Sequence, residues 1–500
     1  MKITKGKVAA CAAAAGFAVN CIRAARLKPS VKDRADYPDE NVDLEKFERD
    51  LSDAIKIRTI ANNDPSLTEW DEFERLHDLM RERFPLMFSR LEVRTFVRAS
   101  LMFYWKGRNP SLDPMCLIGH QDVVPVSKGT LDDWTHPPFD GVNDGEFIWG
   151  RGALDMKNHT IGVCEAVEAL LEEGFEPERD VYVCFGHNEE IMTRADEEGA
   201  VVMANWFRDQ GIHLDSIIDE GGALLPVNVP GLLSCKLAGV GIAEKGYADF
   251  DIIATAKGGH SSAPPDHSAV GRLAKAITRI EAHQFKAQFT PLVNELFNRV
   301  GSNMTFPGRF VVADLPFLKP LVTAIMTKIP PAASMVRTTT AVTMTSGSPQ
   351  ANVLPQKAVA TANFRIMPGQ TVADVEKHLK KVIRDPGIEV VSLAEKNKEP
   401  SKISPSDSDA FRAIERICMG MNSDAVVAPY LVMGGTDACR YEEVCDNIYR
   451  YSPFLVDTSL LLTTHGTNER CPISALADGV AFFKRYIRDV SRAERSSAAL

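Results

Sequence analysis

The feature that most constrains this chain is a regular alternation of short apolar runs and amphipathic segments along its first half. The apolar runs have the length and composition of buried strands, and the segments between them carry apolar residues at helical spacing. The strand-like runs are 100–105, 115–120, 180–187 and 216–219, and the helix-like segments are 43–58, 158–173 and 197–210. Alternating strands and helices predict an α/β fold, with a mixed, mostly parallel sheet covered by helices on both faces.

The pattern changes near residue 246, which indicates a second domain inserted into the first. Residues 248–256, 338–345 and 357–366 alternate apolar with polar side chains, as antiparallel strands with one wet face do. A helical pattern at 266–280 and a Pro-rich, Phe-rich stretch at 286–335 lie between them. We therefore predict an α/β domain formed by residues 31–245 and 368–500, interrupted by an α+β domain at 246–367.

The first 30 residues resemble an export signal. Three lysines precede an uncharged, mostly apolar run from Val8 to Ile22, which is the layout of a signal peptide or a short signal anchor. The run is shorter than the roughly 20 residues that span a bilayer comfortably, and basic residues follow it without a clear small-x-small cleavage pattern. Both alternatives remain open, and both predict an exported protein, either secreted or held at a membrane by this segment.

Composition excludes several other classes of protein. A net charge of −10 and a pI near 5.7 argue against a nucleic-acid partner, which would require a basic face. Ten cysteines without a CxxC pair are too few for a disulfide scaffold, so free thiols are expected. A disulfide among Cys418, Cys439, Cys445 and Cys471 remains open. The GVG at 239–241 lacks the glycine and lysine pattern of a nucleotide-binding loop.

Potential ligand side chains gather where predicted strands end, the edge at which open α/β sheets bind ligands. Glu189 and Glu190 are adjacent, and two ionised carboxylates at one site repel each other unless a cation or a proton lies between them. The other polar residues are His120, Asp122, Asp155, Asp219 and His465. Two histidines with several carboxylates form a ligand set that zinc accepts. The sequence therefore predicts a site for divalent metal ions.

The order of these residues resembles metallopeptidase family 20, the dizinc aminoacylases and carboxypeptidases of clan MH. The sequence is most similar to the branch that contains vacuolar carboxypeptidase S and the secreted N-fatty-acyl-amino-acid synthase/hydrolase. The resemblance extends over about 40–490, and its motifs are DGEFIWGRGALDMKN, VGIAEKGYADFDI, GGHSSAPP, MVRTTTAVTM, NVLPQKAVATANFRIMPGQT and IYRYSP.

The resemblance implies two zinc ions, with other divalent ions possible, bridged by Asp155 and a water. His120 and Asp219 would bind one ion, and Glu190 and His465 the other. It also implies a cis peptide bond between Asp155 and Met156.

The same resemblance assigns the chemistry. Glu189 would be the general base, which takes a proton from the attacking water and passes it to the leaving nitrogen. Asp122 would orient His120. His260 of the inserted lid domain would stabilise the developing oxyanion, usually in the site of a partner subunit. Residues that would contact the substrate are Asn352, Arg365, Asp437 and Arg440. Arg365 could instead form an ion pair on the sheet surface.

Two departures from the family pattern concern the surroundings of these residues. The bulky, charged loop IMTRADEEG at 191–199 replaces a small, Gly-rich turn, which would alter access or substrate choice. Met156 replaces a polar residue that usually follows the bridging aspartate, so one supporting contact of the site would be missing.

The implied function is hydrolysis of the amide bond of an N-acyl amino acid, with a fatty acyl group and the reverse reaction as options. A carboxypeptidase for short peptides is the alternative within this class, and a non-catalytic binding protein on the same fold is the alternative outside it. The family also implies a homodimer formed through the inserted domain. A monomer that closes the lid over its own site remains an option.

Overall fold

The computed structural model describes residues 5–27, 39–191 and 197–493. Residues 192–196, within the loop that departs from the family pattern, lie outside this set. The elements of the first part are α1 (Lys5–Arg26), α2 (Leu44–Ile55), α3 (Trp70–Arg83), α4 (Pro85–Arg90), β1 (Glu92–Phe96), β2 (Ser100–Trp105), β3 (Met115–His120), β4 (Val142–Asn143), β5 (Phe147–Trp149), α5 (Lys157–Glu172), β6 (Val181–Gly186), α6 (Gly199–Asp209), β7 (Ser216–Val229) and β8 (Leu233–Glu244).

The remaining elements fall into an inserted part and a closing part. The inserted part contains β9 (Gly246–Thr255), β10 (Gly259–His260), α7 (Ala269–Ala282), α8 (Pro291–Ser302), α9 (Phe306–Ala313), α10 (Leu315–Met326), α11 (Pro330–Val336), β11 (Thr339–Ser346), β12 (Val353–Leu354), β13 (Lys357–Ile366), α12 (Val372–Ile383) and β14 (Ile388–Ser392). The closing part contains α13 (Asp409–Met421), β15 (Ala425–Val432), β16 (Ile448–Leu455), α14 (Thr458–Leu461), β17 (Arg470–Pro472) and α15 (Leu476–Val490).

The large sheet confirms the predicted α/β class. Its eight strands run in the order β1-β2-β6-β3-β7-β16-β8-β15, and the neighbours β6, β3, β7 and β16 are parallel. One face packs against α2, α5 and α15, and the other packs against α6. Because β6, β3 and β7 are adjacent and parallel, the residues that follow their buried segments meet at one edge of the sheet.

The expected strand at 216–219 is longer in the structure. It continues as β7 to Val229 and returns as β8, forming an antiparallel hairpin. Gly222 permits this continuation, because a Cβ there would lie 2.3 Å from the carbonyl oxygens of Arg450 and Gly239. The pattern of apolar residues does not reveal such close packing between backbones, so the sequence did not predict the longer strand.

The inserted domain contains the predicted antiparallel sheet, in the order β11-β13-β9-β14. Helices α7 and α12 bury their apolar faces on this sheet, and Val375 and Leu379 of α12 are fully buried. Since β14 pairs with β9, the insert continues past the expected boundary at 367. The sequence alternation that follows Pro368 therefore belongs partly to the insert and not wholly to the α/β domain.

The N-terminal helix α1 packs against α9 of the insert. The Phe17 and Phe310 ring centroids are 5.3 Å apart, and the Asn20 side chain donates a hydrogen bond to the Phe310 carbonyl oxygen at 3.0 Å. No helix among the described residues is long and apolar enough to cross a membrane. The cysteines whose side chains are described are free thiols, which agrees with the expected free-thiol core.

Candidate metal centre

Asp155 lies between the two histidines that the sequence pattern selects. Its Oδ1 is 3.1 Å from His120 Nε2, and its Oδ2 is 2.9 Å from His465 Nε2. His465 Nε2 also lies 3.1 Å from the Glu190 carboxylate. Both oxygens of Asp155 therefore face separate nitrogen ligands, which is the arrangement that a bridging carboxylate requires.

Glu220, and not Asp219, faces His120. Glu220 Oε1 is 3.2 Å from His120 Nε2, and donor atoms of His120, Glu189 and Glu220 all lie within 4.8 Å of one another. The Asp219 carboxylate instead accepts a hydrogen bond from the Ala438 amide at 3.1 Å. Consecutive side chains of a strand point to opposite faces, so adjacent residues of β7 do not both face the cluster. The structure thus brings together every expected ligand except Asp219.

The electrostatics of the cluster favour a bound cation. Burial raises the pKa of Glu189 well above its ordinary value and raises the pKa of Glu220 to about 8. Hydrogen bonds to Asp155 and Glu190 raise the pKa of His465 to about 10. Burial would lower the pKa of His120, but the charge of Glu220 and hydrogen bonds to carboxylates raise it well above its ordinary value. Crowded carboxylates thus stabilise positive charge on the histidines, and divalent ions would supply that charge directly.

The buried Asp122 carboxylate explains why two glutamates can be adjacent at this point. The amides of Glu189 and Glu190 donate hydrogen bonds to its two oxygens at 3.1 and 3.0 Å. Its own carbonyl oxygen is 3.0 Å from His120 Nδ1, which leaves His120 Nε2 directed at the cluster. Asp122 therefore positions the glutamate turn as well as the histidine. The sequence assigned it only the second of these roles.

A buried ion pair positions the backbone at Asp155. The Glu469 carboxylate accepts hydrogen bonds from the amides of Leu154 and Asp155 at 2.9 and 3.2 Å, and it pairs with Arg151 at 2.5 Å. The sequence analysis did not select this pair, although Arg151 lies in the motif DGEFIWGRGALDMKN and Glu469 lies four residues after His465. The peptide bond from Asp155 to Met156 is cis, as expected. The buried Met156 sulfur accepts a hydrogen bond from the His120 amide at 3.3 Å, so this residue contacts the site through its sulfur.

The expected lid residues are on the insert, away from the contacts of the cluster. His260 is exposed, and its Nδ1 is 2.8 Å from the Ser262 hydroxyl. The backbone carbonyl oxygen of Asn352 accepts a hydrogen bond from the Ser261 amide, and both His260 and Asn352 line one open pocket. The guanidinium of Arg365, on β13, lies 4.8 Å from the Tyr247 ring centroid. The structure thus groups His260 with Asn352 and places Arg365 over an aromatic ring.

Asp437 and Arg440 differ in their surroundings. Asp437 is buried beside Gly186. A Cβ atom added to Gly186 would lie 2.5 Å from a carboxylate oxygen of Asp437. Burial, followed by the charge of Glu198, raises the pKa of Asp437 well above its ordinary value. The guanidinium of Arg440 is bound by both oxygens of Glu198 at 2.5 and 3.0 Å. This ion pair already engages Arg440, so a substrate carboxylate would have to compete with Glu198.

A cavity of about 440 Å³ adjoins the cluster, with Asp155 and Glu220 as part of its wall. Most of the remaining wall is apolar, and the insert contributes two of these side chains. The large apolar side chains are Leu154, Leu225, Leu237, Leu296, Met335, Phe454, Val456 and Leu461. Ligand pockets commonly have this size and combine an apolar wall with a few polar groups.

Comparison with known proteins yields one family. The sequence profile described as peptidase family M20/M25/M40 matches residues 116–489. The chain is 35% identical over 486 residues to a probable carboxypeptidase S-like 2 from Dictyostelium discoideum, with 95% of this chain and 91% of that protein covered. It is 31% identical to the mouse N-fatty-acyl-amino acid synthase/hydrolase, with 88% and 86% covered. It is also 31% identical to carboxypeptidase S of Saccharomyces cerevisiae, with 88% and 83% covered.

Solved structures give the same fold. An M20 family metallo-carboxypeptidase from Sulfolobus solfataricus superimposes with a TM-score of 0.64 at 16% identity, covering 88% of this chain and 98% of that chain. Human carnosine dipeptidase 1 gives 0.61 at 16% identity, with 90% and 96% covered. Together with the profile match, the clustered histidines and carboxylates identify a metal-dependent hydrolase of peptide or amide bonds, and the chain belongs to peptidase family M20/M25/M40.

Proposed function

We propose that this protein hydrolyses N-acyl amino acids whose acyl group is a long aliphatic chain. The observation that carries the proposal is the apolar cavity whose wall includes Asp155 and Glu220. A scissile amide held at the metal cluster would direct an acyl chain along Leu225, Leu237 and Phe454. A short polar peptide would leave this apolar surface in contact with water.

The insert supplies part of the same cavity. Leu296 of α8 and Met335 of α11 line it together with residues of the large sheet. These side chains belong to the Pro-rich, Phe-rich stretch at 286–335, whose composition is compatible both with contact to an acyl chain and with the core of a lid. Methionine adapts its shape to irregular apolar ligands. The placement of Met335 in the cavity wall favours the first interpretation.

The ligand set fits two divalent ions, and its nitrogen and carboxylate donors suit zinc. We propose Asp155 as the bridge, Glu190 and His465 as ligands of one ion, and His120 and Glu220 as ligands of the other. Glu220 replaces Asp219 in this assignment because its carboxylate is the one that faces His120. When bound, the ions would polarise the scissile carbonyl and lower the pKa of the attacking water.

Glu189 is the proposed general base. It belongs to the group with His120 and Glu220 but is not assigned as a metal ligand, so its carboxylate stays free to accept a proton. It takes the proton from water as the water oxygen attacks the carbonyl carbon, and it delivers this proton to the nitrogen as the C–N bond breaks. The same groups catalyse the reverse condensation when acyl donor and amine are abundant, because a catalyst lowers the barrier in both directions.

His260, Asn352 and Arg365 are proposed to complete the site from the insert. His260 would donate a hydrogen bond to the oxyanion, and Asn352 and Arg365 would bind the carboxylate of the amino acid product. His260 and Asn352 share an open pocket, separate from the contacts of the metal cluster. We therefore propose a homodimer in which the insert of one subunit contributes His260 to the site of its partner.

A substrate panel tests the acyl proposal. Purified full-length protein would be assayed on N-acetyl, N-octanoyl, N-lauroyl and N-oleoyl derivatives of one amino acid and on blocked dipeptides, with and without a chelator. Each methylene that the cavity buries contributes up to about 0.8 kcal/mol, so kcat/KM should rise about fourfold per methylene until the cavity is full. Preference for the dipeptides would favour the carboxypeptidase alternative and contradict the proposal.

A substitution in the cavity wall, compared with one at an exposed position, tests whether the cavity binds the acyl chain. Met335→Trp should shorten the preferred acyl chain, because the larger side chain fills the space while N-acetyl substrates retain their turnover. The control is Met344→Trp, an exposed position of the same insert. If kcat/KM of Met335→Trp depends on acyl chain length as in the wild type, the cavity does not bind the acyl chain.

A further inference from the structure

Helix α10 of the insert is apolar over most of its surface, which is unusual for a helix at a protein surface. Its sequence LPFLKPLVTAIM contains one charged residue. The inner side buries Leu315 and Met326, and Met326 belongs to a small core with Val293 and Val336. The outer side therefore determines what this helix contacts beyond its own domain.

The outer side of α10 carries a stripe of exposed, large apolar side chains at a spacing of four residues. Phe317 is 74% exposed, Leu321 58%, Ile325 54% and, just beyond the helix, Ile329 51%. Residues four apart lie on one face of a helix. We call these four residues the α10 stripe. Exposed apolar groups of this extent mark interaction surfaces with proteins or membranes.

Charge around the stripe favours an anionic partner. Between residues 303 and 337, Asp314 is the single acidic residue. Of the basic residues in this range, Lys328 is exposed, and Arg309, Lys319 and Arg337 are partly exposed. Helix α1, which packs on the neighbouring α9, adds exposed Arg23 and Arg26 and has no acidic residue. The whole chain has a net charge of −10. A negatively charged lipid surface would therefore attract this face and repel the remainder of the molecule.

We propose that the α10 stripe docks on an anionic lipid bilayer, with its apolar side chains in the interfacial layer and the surrounding lysines and arginines at the headgroups. Amphipathic helices bind in this way with an apolar face about 5–10 Å deep, and each basic residue near the surface contributes about 1 kcal/mol. A symmetric pairing of two stripes would instead bring like charges together. This inference is independent of the proposed substrate.

The test is flotation of the full-length protein with phosphatidylcholine vesicles, with and without about one-third phosphatidylserine. We expect binding to the anionic vesicles that decreases with salt. The combined substitution Phe317→Glu, Leu321→Glu and Ile325→Glu should reduce the bound fraction at least tenfold. The matched control, Leu131→Glu with Met344→Glu, changes side chains that are 62% and 66% exposed elsewhere and should bind as wild type does.

A milder substitution covers the case in which the triple variant does not fold. In Phe317→Trp, the emission of the new tryptophan should shift to shorter wavelength when anionic vesicles are added, and brominated lipid should quench it. The control Met344→Trp should show neither effect. Wild-type binding by the triple variant, or an unquenched tryptophan at 317, would overturn the proposal. The proposal would also be overturned if light scattering showed that this face holds two copies of the chain together and the protein did not bind vesicles.

Discussion

The metal cluster and the lid residues differ in how completely this chain assembles them. In the cluster, each side chain has a fixed partner: Asp155 contacts both histidines, and Asp122 binds the turn that carries Glu189 and Glu190. On the insert, His260 is exposed and contacts Ser262. The cluster is preorganised within the α/β domain, whereas His260 is exposed to the surroundings of the insert.

This difference separates two requirements of catalysis. A metal site needs several charged groups at short fixed distances, and buried hydrogen bonds from one rigid sheet edge provide them. An oxyanion donor is needed only when the substrate is bound, so it can arrive by closure or from a second subunit. The comparison predicts that a chain with a substituted cluster residue is inactive whatever its partner. A chain with a substituted lid residue should be active when its partner carries an intact lid.

The largest expected effect is that of Glu189→Gln. Loss of the general base should reduce kcat about 10²- to 10⁴-fold, while metal content and thermal stability remain near wild type because Glu189 is not a proposed ligand. Kinetics on the preferred acyl substrate and elemental analysis of the same sample measure both quantities. Normal turnover would remove the assignment of Glu189 as the base.

The next effect concerns the lid. His260→Ala should reduce kcat about 10²- to 10³-fold, because a donor to the oxyanion is lost, and the metal content should not change. Equal mixing of the His260→Ala and Glu189→Gln proteins tests the dimer directly. If His260 acts in the partner's site, mixed dimers hold one intact site and the mixture recovers roughly a quarter of wild-type activity. Failure to recover activity in demonstrated mixed dimers would place His260 in the site of its own subunit.

The sequence predicted the fold and most of the cluster because both depend on local patterns. Apolar periodicity located α2, α5, β3 and β6 within a few residues, and the order of the polar residues selected His120, Asp155, Glu190 and His465. Neither signal encodes long-range pairing. The insert was therefore expected to end at 367, although β14 pairs with β9 from the far side of α12.

The positioning contacts were harder to predict for the same reason. The ion pair between Arg151 and Glu469 joins residues more than 300 positions apart, and its effect on the Asp155 backbone is visible only in three dimensions. The choice between Asp219 and Glu220 was hard to predict for another reason, because the two carboxylates are adjacent in the sequence. It depends on which face of β7 meets the cluster, and the register of a strand cannot be read from the letters DEGG alone.

The smallest predicted effect separates these two neighbours. Glu220→Gln should weaken the binding of one metal ion at least tenfold and leave the other bound, because it removes a charged oxygen beside His120 but none beside His465. Asp219→Asn should retain both ions, since the Asp219 carboxylate accepts the Ala438 amide hydrogen bond and a side-chain amide oxygen can also accept it. Titration of the metal-free variants with zinc, followed by calorimetry, measures the number of sites and their affinities. Loss of an ion from Asp219→Asn with two ions in Glu220→Gln would restore Asp219 as the ligand, and it would mean that β7 changes its local register when metal binds.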